Sequence, residues 1–266
     1  MAAAFGSLVI DYHCMRMDLT QALGLGEREV VAFVGGGGKT TAMYRLCREA
    51  AERGRGAVAT GSARFTLPPG LGAPLLVDAD EARLLASVRE RFAAGELWLV
   101  ASTGRASGER LLPLSYEAIA SLAGLAPLVA VEACGSALRP FKAPAEHEPV
   151  VPPAATVVVA VVGADVFGRR LDAAAVHRPE RVAALTGVEL GATVTPALVA
   201  QVLAHAEGGR KDVPPGARFA VLINKASPDR LAAAREAAER LRAAGVERVV
   251  LAQAREKEPV VDVLGG

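Results

Sequence analysis

Four consecutive glycines followed by Lys-Thr-Thr lie between an apolar stretch and an amphipathic stretch in VVAFVGGGGKTTAMYRLCREA, residues 30–50. The apolar residues before the glycines predict a buried strand. After the glycines, Met43, Cys47 and Ala50 recur on one face at helical spacing, which predicts an amphipathic helix with Cys47 in the core. A strand joined by a short loop directly to a helix is typical of α/β folds.

The residues of this loop have the chemistry of a phosphate-binding loop. In such loops glycine N–H groups converge on phosphate oxygens, a lysine neutralises their charge, and a hydroxyl ligates Mg²⁺. The usual spacing GxxxxGK[ST] needs a glycine at position 33, where this chain has Phe33. We therefore expect a shorter loop that turns at its first glycines. Nucleotide phosphates are assigned to Gly35, Gly36, Gly37, Gly38, Lys39, Thr40 and Thr41.

Two other interpretations of the loop compete with phosphate binding. A dinucleotide-binding fold also has glycines after its first strand, but it needs an acidic residue about 20 positions further on. The end of the second predicted strand, AVATGSAR (residues 57–64), has Thr60 and Gly61 and no acid. The other alternative is a flexible turn followed by a surface lysine. Four glycines before Lys-Thr-Thr, between a strand and a helix, favour phosphate binding over both.

The rest of the chain repeats the order strand, loop and helix, which predicts a mostly parallel sheet flanked by helices. We predict a P-loop NTPase-like α/β fold, with a single nucleotide-binding domain over residues 17–266 and an N-terminal extension over residues 1–16. The predicted strands are residues 30–34, 57–60, 97–101, 128–132, 156–162, 219–224 and 249–252. The predicted helices are residues 40–53, 80–93, 179–185, 196–205 and 228–244, with a short capped helix beginning near Asp18.

Charge and hydropathy narrow the class of partner. The chain has 30 Lys and Arg against 29 Asp and Glu, a net charge of +1, which argues against nucleic acid or an anionic membrane as a partner. No apolar run approaches the roughly 18 residues of a membrane span, and the first residues lack a secretory signal. The three cysteines are widely spaced, which predicts reduced thiols. We expect a cytoplasmic protein that binds a small molecule or another protein.

A second polar stretch follows the predicted strand 128–132. Glu132 falls at the carboxyl end of that strand, where open α/β sheets bind ligands. Its carboxylate is a candidate for holding Mg²⁺ or orienting an attacking water, with a helix cap or salt bridge as the alternative. Lys142 begins the charged, proline-containing segment KAPAEHEP (residues 142–149), a candidate for positioning a substrate. We assign catalysis to Lys39, Glu132 and Lys142, and the metal to Thr40 and Glu132.

The sequence resembles the YqeC family from Met17 onward, in VGGGGKTT, KAPAEHEPVVP, GADVFGRRL, VHRPERVAALTG and VLINKASP. KAPAEHEP is the most specific of these segments, because it is not a general nucleotide-fold motif. The resemblance implies a P-loop fold that binds ATP or GTP with Mg²⁺, and a part in maturation of the selenium cofactor of molybdenum hydroxylases. The protein client it implies is a molybdenum hydroxylase or a selenium donor.

Three positions depart from the family pattern. Cys134 stands where members tend to have an acid, the hydroxyls after the second strand are reduced to Thr60 and Ser62, and the guanine-reading NKxD pattern appears as NKAS (residues 224–227). Asn224 and Lys225 can still flank a purine, so ATP and GTP both stay open. Three functions also stay open: an NTP-hydrolysing or phosphoryl-transferring accessory protein, a non-catalytic nucleotide-dependent switch, and a small-molecule kinase.

Overall fold

The computed structural model describes residues 17–265, so the predicted N-terminal extension, residues 1–16, lies outside the described residues. The helices are α1 (Leu19–Ala22), α2 (Lys39–Glu52), α3 (Glu81–Ala93), α4 (Tyr116–Leu125), α5 (Pro179–Thr186), α6 (Pro196–Ala204) and α7 (Leu231–Ala243). The strands are β1 (Glu29–Gly35), β2 (Ala57–Gly61), β3 (Phe65–Thr66), β4 (Leu75–Val77), β5 (Trp98–Ser102), β6 (Arg110–Leu111), β7 (Leu128–Glu132), β8 (Phe141–Lys142), β9 (Val157–Gly163), β10 (Val176–His177), β11 (Arg218–Asn224), β12 (Arg248–Ala252) and β13 (Val260–Leu264).

Nine of these strands form one sheet in the spatial order β13-β12-β11-β9-β1-β7-β2-β5-β4. Every neighbouring pair is parallel except β12 and β13. The predicted α/β fold, with a mostly parallel sheet flanked by helices, is confirmed. The central strands are short apolar runs such as VVVAVVG in β9, in which every residue is buried because helices cover both faces.

The two faces of the sheet carry separate apolar cores. Along β1 the side chains alternate, so that Val31 and Phe33 join one core while Val30 and Ala32 join the other. Helices α1 and α2 pack on the first face, and α3 to α7 pack on the second. Cys47 lies fully buried in the first core, as predicted.

The strand order places the loop after β1 where the chain reverses direction across the sheet. From β1 the chain passes through α2 to β2, two positions away, and β7 later fills the place between them. The chain then crosses to the other side of β1, where β9 and β11 lie. A reversal of this kind leaves a crevice at the carboxyl ends of the strands, and ligands of open α/β proteins bind there.

The predicted elements form with small changes at their ends. All seven predicted strands are present, with bounds within one residue of the prediction. The unpredicted strands have two or three residues, except for β13, which pairs antiparallel at the edge. Helix α4 was missed, although Ser115 caps it by accepting a hydrogen bond from the N–H of Ala118 at 3.1 Å. Helix α7 begins at Leu231 rather than Pro228, because the N–H of Arg230 closes a turn onto the carbonyl of Ser227.

Across residues 17–265, none of the helices combines the length and the apolar character that crossing a bilayer requires.

Candidate functional site

The backbone after β1 turns in a way that only glycine allows. Gly35, Gly37 and Gly38 have φ angles of +89°, +70° and +113°. A Cβ on Gly37 would lie 1.9 Å from the backbone nitrogen of Gly163, so this glycine also permits a close approach to the end of β9. Phe33, at the position where the longer motif has glycine, stays buried in β1.

The loop directs a different set of amides outward from the set assigned by sequence. The N–H of Gly36 donates to the carbonyl of Val161 at 2.8 Å, and that of Gly37 to the carbonyl of Arg139 at 3.1 Å. These two N–H groups are therefore committed inside the protein. Helix α2 begins at Lys39, and the N–H groups of its first turn, from Lys39 to Thr41, have no acceptor within the helix. The amides open to an anion thus lie at the amino end of α2.

The ammonium group of Lys39 folds back over this loop. Its Nζ donates to the carbonyl of Gly35 at 2.9 Å, and the residue is only 3% exposed. Nζ also lies 3.7 Å from Oε1 of Glu132. A buried cation next to free helix amides gives the loop the electrostatics of an anion-binding site.

Glu132 connects the loop to the neighbouring strand β7. In the parallel register, Glu132 lies beside Phe33 at the carboxyl end of the sheet. Its Oε2 accepts a hydrogen bond from Oγ1 of Thr40 at 2.6 Å. The sequence assigned both groups to a metal, and a hydroxyl beside a carboxylate supplies two of the oxygen ligands that Mg²⁺ prefers. Within residues 17–265 there is no group of three or more His, Cys, Asp or Glu that could hold a metal ion.

A cleft of about 1030 Å³ opens above these groups, along the carboxyl ends of the strands. Its floor is the segment Gly37–Thr41 together with Glu132. One side is lined by the loops after β11 and β12, including Lys225 and Gln253, and the other by the segment after β2, including Arg64. The volume is at the upper end of the range for small-molecule sites, roughly 300–1,000 Å³.

The side-chain amide of Asn224 is hydrogen-bonded to the protein backbone rather than open to a ligand. Its Nδ2 donates to the carbonyl of Gly37 at 3.0 Å, and its Oδ1 accepts from the N–H of Ala254 at 3.0 Å. The buried amide therefore ties β11 and β12 to the glycine loop. Lys225 lines the cleft with its side chain 43% exposed, and its Nζ bonds Oδ2 of Asp165 at 2.7 Å.

The NKAS segment keeps a carboxylate close to its last residue. The hydroxyl of Ser227 lines the cleft and donates to Oδ1 of Asp229 at 2.5 Å. This hydrogen bond lowers the pKa of the Asp229 carboxyl. The side chain of Asp229 is 68% exposed and does not line the cleft, so the cleft has the hydroxyl of Ser227 where the NKxD pattern has its acid.

Lys142 does not reach the cleft. The residue is 3% exposed, and its ammonium donates to Oε1 of Glu148 at 2.7 Å and to the carbonyl of Gly135 at 2.6 Å. Arg178 pairs with the same carboxylate from the start of α5. The structure therefore separates Lys142 from Lys39 and Glu132, and its contacts hold the KAPAEHEP segment in place instead.

Cys134 occupies the position of the family's acid and is almost fully buried, 2% exposed. Its Sγ lies 3.7 Å from the carbonyl of Gly35, to which the thiol donates a weak hydrogen bond. This carbonyl also accepts from Lys39, so one side chain from α2 and one from the segment after β7 hold the first glycine of the loop.

Lys211, which sequence reasoning did not single out, binds the KAPAEHEP segment from outside. Its ammonium donates to the carbonyls of Ala145, Glu146 and Glu148 at 2.7, 2.8 and 2.9 Å. Lys211→Met keeps the apolar stem and removes the donors, so we expect the free energy of unfolding to fall by about 1–3 kcal/mol. Urea unfolding measures the change. The control is the exposed Lys257→Met, and equal values for the two variants would contradict the prediction.

Comparison with known proteins finds one family, and its model covers part of the site. A family model described as YqeC protein matches residues 31–180. Over 199 residues the chain is 30% identical to the uncharacterized protein YqeC of Escherichia coli (strain K12), covering 74% of this chain and 76% of that protein. The range matched by the family model contains the glycine loop and Glu132, whereas Asn224 and Lys225 lie beyond it.

Proposed function

The chain belongs to the YqeC family, and we propose that it is a P-loop protein that binds ATP or GTP with Mg²⁺ in the cleft above the glycine loop. The observation that carries this proposal is the hydrogen bond between Thr40 and Glu132 at 2.6 Å, next to the buried ammonium of Lys39 and the first turn of α2. A turn that binds no anion does not require a carboxylate, a buried ammonium and free helix amides together. Each one matches a separate part of a metal-bound phosphate chain.

Each group in this proposal has one task. The N–H groups from Gly38 to Thr41 donate to phosphate oxygens, as helix amino ends do for anions. Lys39 supplies the positive charge. Thr40 and Glu132 provide oxygen ligands for Mg²⁺, which when bound neutralises phosphate charge. Asn224 holds the loop in shape from β11.

We further propose that nucleotide binding serves maturation of the selenium cofactor of molybdenum hydroxylases, with a hydroxylase or a selenium donor as client. The support for this client is the resemblance of the KAPAEHEP and VLINKASP segments to the family pattern. We place the protein in the cytoplasm. The buried thiols of Cys47 and Cys134 are unpaired in the structure, which suits a reducing compartment.

Calorimetric titration with ATP, GTP and their non-hydrolysable analogues, with and without Mg²⁺, tests the proposal. Saturable binding of one equivalent supports it, and no binding of either nucleotide rejects it. Phosphate release separates the functions that the sequence left open. Steady release indicates an NTPase, binding without release a switch, and a newly phosphorylated product a kinase.

The Glu132→Gln substitution tests the metal assignment. The amide keeps an oxygen that can accept from Thr40 but removes the negative charge. We therefore expect the ratio of nucleotide affinity with Mg²⁺ to that without Mg²⁺ to be at least about tenfold smaller than in the wild type. Titrations with and without Mg²⁺ measure this ratio. Binding without metal should persist or strengthen, because a carboxylate near the phosphates is gone. The matched control is the exposed Glu239→Gln, and unaltered metal dependence in Glu132→Gln would refute the assignment.

A further inference from the structure

We propose that the cleft has a second binding site, for a small molecule bearing a carboxylate or phosphate group, on Arg64, Thr66 and Arg110. This inference rests on the proposed function, because it assigns the part of the cleft that a nucleotide would leave free. No functional residue assigned from sequence lies in this part.

The position of these residues follows from the strand order. β2 and β11 lie on opposite sides of β1, two places away in each direction. The segment after β2 carries Arg64, and the loop after β11 carries Lys225. A nucleotide with its phosphates at the amino end of α2 extends its base toward one side only. With the base on the side of Lys225, where the sequence assigned it, the side with Arg64 stays open next to the phosphates.

The lining of the cleft is basic, and part of its positive charge has no acidic partner. The lining contains seven Lys or Arg and three Glu, although the chain as a whole has a net charge of only +1. Several of the cations already have acidic partners, such as Lys225 with Asp165. Within residues 17–265, by contrast, neither Arg64 nor Arg110 has a carboxylate within ion-pair distance. These two guanidinium groups are free to bind an anion.

The backbone that presents the two arginines is held firmly. The N–H groups of Ser62 and Ala63 donate to the carbonyl of Glu132 at 3.2 and 3.4 Å. The turn before Arg64 is thus fixed to the residue assigned to the metal, and Phe65 after it is buried in the core.

Strand β6, which carries Arg110, is held in place as well. Arg110 pairs with Thr66 in the short sheet of β3 and β6. The hydroxyl of Tyr44 donates to the carbonyl of Thr66 at 3.0 Å, and burial together with the charge of Glu132 raises the pKa of Tyr44, so this donor stays protonated. Rigid backbones with free guanidinium groups are suited to bidentate contacts with planar carboxylates or with phosphates.

The size of this part indicates a small ligand. A second cavity of about 340 Å³ adjoins it, and the two share Pro68, Pro69 and Glu109. The smaller cavity also has Arg105 in its wall. Arg64, Thr66 and Arg110 line the larger cleft and not this cavity, so the cavity only adds space beside them; its volume lies within the range of small-molecule sites, roughly 300–1,000 Å³.

The test uses protein saturated with Mg²⁺ and a non-hydrolysable ATP analogue, titrated at constant ionic strength with inorganic phosphate and, separately, with succinate. We expect one probe to bind saturably to one site, and its identity distinguishes a phosphate ligand from a carboxylate ligand. In the double variant Arg64→Ala with Arg110→Ala, affinity for that probe should fall by at least about tenfold. Affinity for the analogue should change by less than about twofold, because the nucleotide lies elsewhere.

The exposed Arg89→Ala variant on α3 controls for a general loss of positive charge. The inference is overturned if neither probe binds saturably, if Arg89→Ala weakens the probe equally, or if the double variant loses the analogue together with the probe. If the analogue fails to bind the wild type, the nucleotide proposal fails separately. The same probe titration on the unliganded protein then decides the second site by the same comparison of variants.

Discussion

Replacing Lys39 by alanine is expected to weaken the binding of ATP and GTP by about a hundredfold. The ammonium is 3% exposed and lies 2.9 Å from the carbonyl of Gly35, so a phosphate reaching it would meet a charge already stripped of most of its water. A hydrogen bond to a charged group contributes about 1.5–3 kcal/mol. The variant also leaves the carboxylate of Glu132 facing the phosphates without its counter-charge, which adds repulsion. Calorimetric titration measures the loss.

Lys225→Ala is the matched control for Lys39→Ala. Lys225 lines the same cleft, but its side chain is 43% exposed and bonded to Asp165, so we expect less than about a tenfold change. Urea unfolding of both variants separates loss of the site from loss of the fold. Wild-type affinity in a folded Lys39→Ala protein would refute the phosphate-binding role.

The predictable part of the fold was the part with continuous burial. Strands such as Val157–Gly163 are apolar throughout because both faces of the sheet are covered, and this strand was predicted to within one residue at each end. Strands such as Phe65–Thr66 are too short to have a period, since long-range pairing alone creates them. Helix α4 was missed, although Ser115 at its cap is a usable signal for the start of a helix.

For the site, the structure brings together two residues that the sequence assigned to one metal from the positions of strand ends. Thr40 and Glu132 are 92 residues apart, but Glu132 ends β7 and Thr40 lies in the helix after the parallel strand β1, so both are at the carboxyl ends of strands, and their oxygens lie 2.6 Å apart. Whether they bind a metal stays a prediction. Lys142 was assigned to catalysis because its neighbours are polar, and the sequence did not show that Glu148 would neutralise it in the interior.

The hydrogen-bond partners of the Asn224 side chain could not be predicted from the sequence either. An Asn-Lys pair after a strand suggested contact with a base, yet both polar atoms of the Asn224 amide bond to protein backbone. Asn224 is only 4% exposed, and its amide bonds to the backbone of the glycine loop and to that of Ala254 after β12. Local motifs give residue types, whereas the competition between ligand and backbone for one side chain is decided by tertiary packing.

Glu148→Ala is expected to lower the free energy of unfolding by about 3–5 kcal/mol, because it leaves a buried charge without its partner. The side chain of Lys142 is 1% exposed, and its ammonium has two acceptors, Glu148 and the carbonyl of Gly135. After the substitution only the carbonyl of Gly135 would remain. Urea unfolding at neutral pH measures the change. Glu146→Ala, two residues earlier and exposed, is the control and should change stability by less than about 0.5 kcal/mol.

A double substitution, and unfolding measured at acidic pH, distinguish a broken ion pair from a general packing defect. Lys142→Met with Glu148→Leu removes both charges, and we expect it to recover at least half of the stability that Glu148→Ala loses.

Burial raises the pKa of Glu148, but the hydrogen bond and charge of Lys142, with Arg178, outweigh it and hold the pKa below its ordinary value of 4.5. A carboxyl with a depressed folded pKa stabilises the protein above its unfolded pKa and loses that contribution as the pH falls through the folded value. The difference between wild type and Glu148→Ala should therefore shrink as the pH is lowered below about 4.5, and a difference that stays constant down to about pH 3 would show that the charge is not its cause.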